Sequence, residues 1–291
     1  MSDPAHLRAE ANALAAPLPP LMADAEHLAS TMLLGEHGRR RSGVGEEFWQ
    51  YRPAMPNDEA RLIDWRRSAR SDTHFIREKE WQAAQTILIW VDGAQSMGFA
   101  SKGRQTKADR ARTLSMAVAI LLLRGGERVG LTGADVPPRR GEVQLLRIAS
   151  GLLATDGGST DYGAPEITGM LPKSRALFVS DFMGPLEPFE AALAAAADRG
   201  VRGALLQVLD PEEEAFPYNG RTVFESMGGG LRHETLQADA LRDRYLQRLA
   251  ERKARLTDLA RITGWQFNCH HTGESAQAAL MWLYGALEKV R

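Results

Sequence analysis

From Thr86 onward, apolar positions fall into short continuous runs separated by longer stretches with helical spacing. TILIWV (86–91), RVGLTGA (128–134), RALFVS (175–180), GALLQVL (203–209) and WQFNCH (265–270) read as strands. KADRARTLSMAVAILLLR (107–124), the stretch around Leu145–Leu153, PFEAALAAAADR (188–199), the long segment 240–264 and SAQAALMWLYGALEKV (275–290) read as helices, the long one stopped by Gly264. VPPRRGEVQL (136–145) suggests a short hairpin. TVFESMGGGLRHET (222–235) predicts a ribbon whose glycines 228–230 form the turn, decorating a sheet edge. Continuously apolar strands alternating with helices predict an α/β fold, a mostly parallel sheet with helices on both faces.

Before Glu80 the pattern is different, with no convincing alternation. LMADAEHLASTMLL (21–34) predicts an amphipathic helix after the break PLPP, and the rest, GEHGRRRSG (35–43) and FWQYRPAMPNDEARLIDWRRSAR (48–70), reads as loop-rich. The expected division is therefore an N-terminal extension over 1–85 and an α/β domain over 86–291.

Composition narrows the function classes. A hydrophobic fraction of 44% with 25% charged residues is that of an ordinary globular chain, and a net charge of −1 argues against a general nucleic-acid or anionic-membrane binder. The single cysteine, Cys269, leaves no intrachain disulfide and no Cys-rich metal cluster. The longest apolar run, MAVAILLL (116–123), ends at Arg124 and reads as a buried helix rather than a membrane span. With no signal-like N-terminal segment, the expected location is cytoplasmic.

Three apolar runs end directly in aspartate, at Asp92, Asp181 and Asp210, and the loop DGGSTDYG (156–163) places Thr160 and Asp161 before an expected helix. In open parallel sheets ligands bind beyond the carboxyl ends of strands, and converging carboxylates and hydroxyls are hard oxygen donors suited to Mg²⁺. The plainer alternative is that each aspartate caps a helix or closes a turn. A rival chemistry is a serine hydrolase, with Ser96 in Ala-Gln-Ser-Met-Gly as nucleophile, Asp181 or Asp210, and His270 or His271. That elbow needs several strands before it, which the chain does not offer. Arg61, Arg66, Arg67 and Arg70 surround Trp65, but Asp58, Glu59, Asp64 and Asp72 interleave with them, which favours an ion-pair belt over a nucleic-acid contact. No G-x-x-x-x-G-K-[ST] tract is present, so ATP hydrolysis would have to come from a partner.

The region from Thr86 to the C-terminus, opening on ILIWVDGAQSMG (87–98), resembles a von Willebrand factor A domain. That is a Rossmann-type fold whose metal-ion-dependent adhesion site uses an Asp-x-Ser-x-Ser loop, a later Thr and a later Asp. The resemblance places that site at Asp92, Ser96, Thr160 and Asp181, with Ala94 where the motif carries a hydroxyl; Ala94→Ser is then expected to tighten Mg²⁺ binding. GRRRSGVGEEFWQYRPAMPNDEARLIDWRRSARSDTHFIREKE (38–80) resembles the signature of the bacterial DUF58 family, with Asn57-Asp58-Glu59 where Gly-Asp-Asp is usual. The resemblance implies a non-enzymatic interaction module working with a MoxR-type AAA+ ATPase on a client protein. Its site would be a degenerate adhesion site binding Mg²⁺, or a metal-free scaffold built on the same loops. Arg61, Asp64, Trp65, Arg66 and Arg70 are candidate partner contacts.

Overall fold

The computed structural model describes residues 18–31, 42–55, 58–60, 63–69, 73–80, 84–154 and 160–288. In chain order its elements are α1 (Leu18–Ser30), β1 (Ser42–Pro53), α2 (Trp65–Ser68), β2 (Phe75–Glu80), β3 (Thr86–Val91), α3 (Lys107–Arg124), β4 (Arg128–Leu131) and α4 (Glu142–Ala154). Beyond these lie β5 (Arg175–Ser180), α5 (Leu186–Asp198), β6 (Arg202–Leu209), α6 (Pro211–Ala215), β7 (Thr222–Glu225), β8 (Arg232–Thr235), α7 (Asp239–Thr263), β9 (Gln266–His271) and α8 (Ala276–Glu288).

Among the described residues, five strands pair in parallel in the order β4-β3-β5-β6-β9. This is the expected α/β architecture. The chain enters at β3, steps outward to β4, then returns to β5 on the opposite side, so the direction of winding reverses between β3 and β5. A crevice opens at such a reversal because the flanking connections leave on opposite faces. The period of two sorts the strand residues cleanly. Ile87, Ile89, Val91, Leu177, Val179, Leu206 and Val208 pack under α3, α4 and α8, while Leu88, Phe178 and Leu205 meet Phe189 and Leu193 of α5 and Leu256 of α7. The outer edge of β4 is closed by a single antiparallel bridge: Val129 and Arg139 exchange backbone bonds of 3.1 and 3.3 Å, and the Gln144 side chain donates to the same Val129 carbonyl at 2.9 Å.

The chain forms two compact units, and their boundary corrects the expected division: α1 belongs with the sheet, not with the segment 34–84. α1 starts at Leu18, with Pro19 and Pro20 in its first turn, where a missing N–H costs nothing. Leu21, Ala25, Leu28 and Ala29, at helical spacing, join the core that encloses α3. This is why α3 is apolar nearly all round. Leu28→Ala is expected to cost about 2 kcal/mol, near the low end for a core leucine because Leu28 lies at the rim; a urea midpoint shift checks it.

The unit 34–84 is not the loop-rich piece expected. β1 and β2 pair antiparallel with two register shifts, and Ile63 bridges to Ile76. A two-stranded ribbon need not bury a whole face, so its residues are not driven into a strict apolar–polar alternation. Arg52 grips Asp58 with two bonds of 2.6 and 2.7 Å and holds its carboxyl down to about 2. No described helix is long and apolar enough to cross a membrane.

Candidate functional site

β3 and β5 deliver Asp92 and Asp181 side by side at the reversal point, both buried. The Asp92 N–H donates to Val179 O at 2.8 Å and extends the β3–β5 ladder by one residue. Beyond it the chain tightens into a helical turn at Gln95–Gly98, pinned by fully buried Met97. Two backbone bonds tie this turn to the neighbouring loop, Gln95 N–H to Thr160 O at 3.1 Å and Ser96 N–H to Asp161 O at 3.0 Å. The sequence-predicted loops therefore do meet. No helix follows Asp161, contrary to expectation; residues 160–174 form turns.

The donor atoms are already engaged. Asp92 Oδ1 accepts from the Ala94 N–H at 2.9 Å and Oδ2 from the Ser180 hydroxyl at 2.7 Å. Gly163 lies so close that a methyl there would stand 2.3 Å from Asp92 Oδ1. Burial raises the Asp92 pKa against the pull of those hydrogen bonds, and the Asp181 charge adds to the rise. Asp181 Oδ1 accepts from the Met183 N–H at 3.0 Å, an Asx-type turn, and its Oδ2 takes a bond of 2.8 Å from Lys107 Nζ.

Lys107 is the residue that sequence reading passed over. It opens α3, is only 1% exposed, and its ammonium also bonds Glu213 Oε1 at 2.6 Å. Burial opposes its charge, but Asp181 and Glu213 outweigh that and hold its pKa up. Burial moves Glu213 upward as well, with Lys107 pulling against it. Glu213 is placed by a capping box on α6: Asp210 Oδ1 accepts from the Glu212 N–H at 2.9 Å, and Glu213 Oε2 from the Asp210 N–H at 2.8 Å. Asp210 Oδ2 accepts from the Ser101 N–H and hydroxyl, both at 3.0 Å. The third strand-end aspartate is thus a cap and a loop tie.

An octahedral Mg²⁺ held directly would need several oxygens within about 2.1 Å. Here Asp181 already accepts from an ammonium and a backbone N–H, Asp92 accepts from a hydroxyl and a backbone N–H, and Ala94 offers no oxygen. Thr160 is exposed, and Ser96 Oγ is buried without a hydrogen-bond partner among the described atoms. With the Lys107 ammonium seated on Asp181 Oδ2 and no hydroxyl at position 94, the arrangement does not fit a directly ligated divalent ion unless the ammonium moves away. Nor do they assemble a hydrolase. His270 is buried beside Arg110 Nη1 at 3.4 Å, His271 is partly exposed and held by Glu214 and Glu274, and neither bonds Ser96 among the described residues.

The ribbon β7–β8 lies over this site instead of decorating an edge. The Gly228 N–H donates to Asp161 Oδ1 at 2.7 Å, and a methyl on Gly228 would meet that oxygen at 2.2 Å, so any other residue would force the Asp161 side chain to shift. Between ribbon and sheet runs a groove of about 560 Å³, with Asp181, Lys107 and Glu213 among its lining residues and Phe99, Tyr162, Met183, Phe224, Leu231 and Tyr245 as its apolar walls. A second hollow of about 490 Å³ shares Phe99, Phe224 and Tyr245 and continues between Phe216 and Tyr218. Phe216 packs on Tyr245 and Phe224 at centroid distances of 4.9 and 5.6 Å. Of these walls, Phe224 and Leu231 come from the ribbon that the sequence places at a sheet edge, Tyr245 from the long helix α7, and the rest from loops.

Of the other candidate contacts, Asp64 is the N-cap of α2, accepting from the Arg67 N–H at 3.0 Å and the Tyr51 hydroxyl at 3.2 Å. Trp65 is 58% exposed with one edge on His74, and Arg66 is exposed. Arg67 is the arginine that stacks, 4.7 Å over Tyr51. Arg61 and Arg70 lie outside the described residues.

Relatives place the chain. Uncharacterized protein Rv1480 of Mycobacterium tuberculosis is 28% identical over 261 residues, covering 85% of this chain and 80% of its own length, and Uncharacterized protein Mb1516 of Mycobacterium bovis matches equally. Among solved structures, an aerotolerance-related membrane protein from Bacteroides fragilis superposes with a TM-score of 0.41 at 12% identity, over 71% of this chain and 100% of that one. BatB from Bacteroides thetaiotaomicron gives a TM-score of 0.36 at 14% identity with the same coverage. Residues 50–255 match the family described as Protein of unknown function DUF58, and the chain belongs to that family.

Proposed function

We propose that this protein is a non-enzymatic interaction module that engages a protein partner in the groove at the carboxyl edge of its sheet. The groove itself is the observation that carries this reading: it lies at the reversal point, has apolar and aromatic walls, and is roofed by a ribbon with Met227 and Leu231 exposed. Exposed apolar side chains around a concave site are what a partner would cover. The family resemblance supports a MoxR-type AAA+ ATPase and its client as the partners, with ATP hydrolysis on the partner's side. The von Willebrand A-like character is supported by Asp92 and Asp181 lying together at the reversal point.

A photo-crosslinking residue in place of Leu231, with purified MoxR-type ATPase from the same source, tests this. An adduct is expected from position 231, lost when Phe224→Asp is added, and absent when the crosslinker replaces exposed Ile262 near the opposite edge. Equal labelling from both positions, or none from 231, would remove the reading.

A further inference from the structure

We infer that the Lys107 ammonium stands in for the divalent ion of an adhesion-type site, so that the carboxyl edge carries its own cation and is held together without metal. This rests on the adhesion-site reading of the edge, and whether the ion position is filled can be measured apart from which protein docks there.

Charge balance comes first. Asp181 and Glu213 reach one point from the end of β5 and from α6, and two carboxylates so placed repel unless a cation lies between them. Lys107 Nζ lies between them at 2.8 and 2.6 Å, with the side chain 1% exposed, so this is an interior cation and not a surface pair. Its approach is fixed from the backbone outward. The Lys107 N–H donates to Phe99 O at 3.2 Å, Thr106 caps α3, and the ammonium lies 5.7 Å from the centre of the Phe99 ring.

Ala94 then has a physical explanation. A hydroxyl at 94 is useful when it coordinates an ion; where the cation is an ammonium held by the carboxylates of Asp181 and Glu213, a small apolar side chain packs there without loss, and Ala94 is 6% exposed. The loss of the hydroxyl and the presence of Lys107 are two halves of one exchange. The exchange also changes what the edge can recognise. A metal ion keeps an open position that a partner's carboxylate can fill, whereas a covered ammonium offers none. Recognition falls to the apolar walls of the groove, and capture of a partner there should be indifferent to chelators.

The test uses the full chain and Mn²⁺ or Mg²⁺ alone, read by calorimetry and by the shift of melting temperature with metal concentration. Wild type and Ala94→Ser are expected to give no saturable heat and no shift into the millimolar range. Lys107→Met combined with Ala94→Ser is expected to bind Mn²⁺ saturably, its melting temperature rising with the logarithm of metal concentration, and to lose both with Asp92→Ala. Saturable binding by wild type that disappears in Asp92→Ala would overturn the inference, and needs no other variant to fold. A folded double variant that ignores Mn²⁺ would overturn it too, because the ammonium would then not occupy an ion position.

Discussion

Lys107→Met should lower the unfolding free energy by about 3–5 kcal/mol, the usual cost of removing one partner from a buried ion pair. Methionine matches the length of the lysine stem and keeps its packing, so the loss reports the charge. Asp181, itself buried, and the partly buried Glu213 would be left facing each other without a cation between them. Urea unfolding with an unchanged slope is the measurement. Adding Asp181→Asn and Glu213→Gln should return much of the loss, because the repulsion is removed along with the cation. Lys107→Arg should not rescue fully, since a planar guanidinium does not fit a position shaped for a compact ammonium. The comparison is Lys253, whose ammonium bonds Glu214 at 2.5 Å but is 23% exposed; Lys253→Met should cost under about 1 kcal/mol. Equal losses for the two lysines would show that burial confers no special role on Lys107.

The second large effect is expected from pH. His270 is buried, and burial together with the Arg110 charge holds its imidazole down to about 4 from 6.5, with Glu274 pulling weakly the other way. The unfolded chain therefore takes up a proton below about 6.5 that the folded chain refuses until about 4. Stability is full above that upper limit and falls as pH drops through the window, by about 3 kcal/mol in all and about 2 kcal/mol by pH 5. Asp92 and Glu213, whose pKa values burial raises, act with the opposite sign in their own range. The decisive reading is thus the difference between wild type and His270→Gln. Urea midpoints at pH 7 and pH 5 should converge in the variant; an unchanged gap would mean that His270 is protonated in the folded protein.

The strands and helices from Thr86 onward were legible because each strand is bounded by turn residues and each helix keeps one spacing throughout. Asp92 and Asp181 were legible for a related reason: a carboxylate directly after an apolar run must sit at a strand end. Lys107 was not. A lysine in the first turn of a helix is ordinarily solvated, and what buries this one lies 74 and 106 residues further along the chain. No local pattern carries that information. Thr160 was chosen over Asp161 from the adhesion-site template, yet Asp161 is the one that anchors the ribbon. The ribbon itself was recognisable, but its position over the site was not, because that depends on the Gly228 N–H meeting Asp161, 67 residues earlier in the chain. Asp210 shows the converse: the same strand-end signal marks a helix cap, and only its partners distinguish the two roles.

The closed side of β4 bears on how this protein can associate. An open strand edge is an invitation to any extended segment, whether a peptide ligand adding a strand or another copy beginning an aggregate. At β4 that invitation is withdrawn: the outward carbonyl of Val129 is taken twice and its N–H once, and Pro138 packs so closely on Gly130 that a methyl there would meet it at 3.0 Å. A partner arriving from this flank finds Val129 already paired. Association is thereby steered away from the sheet's side at β4 and toward its top, where the chain presents side chains, not peptide groups, for recognition.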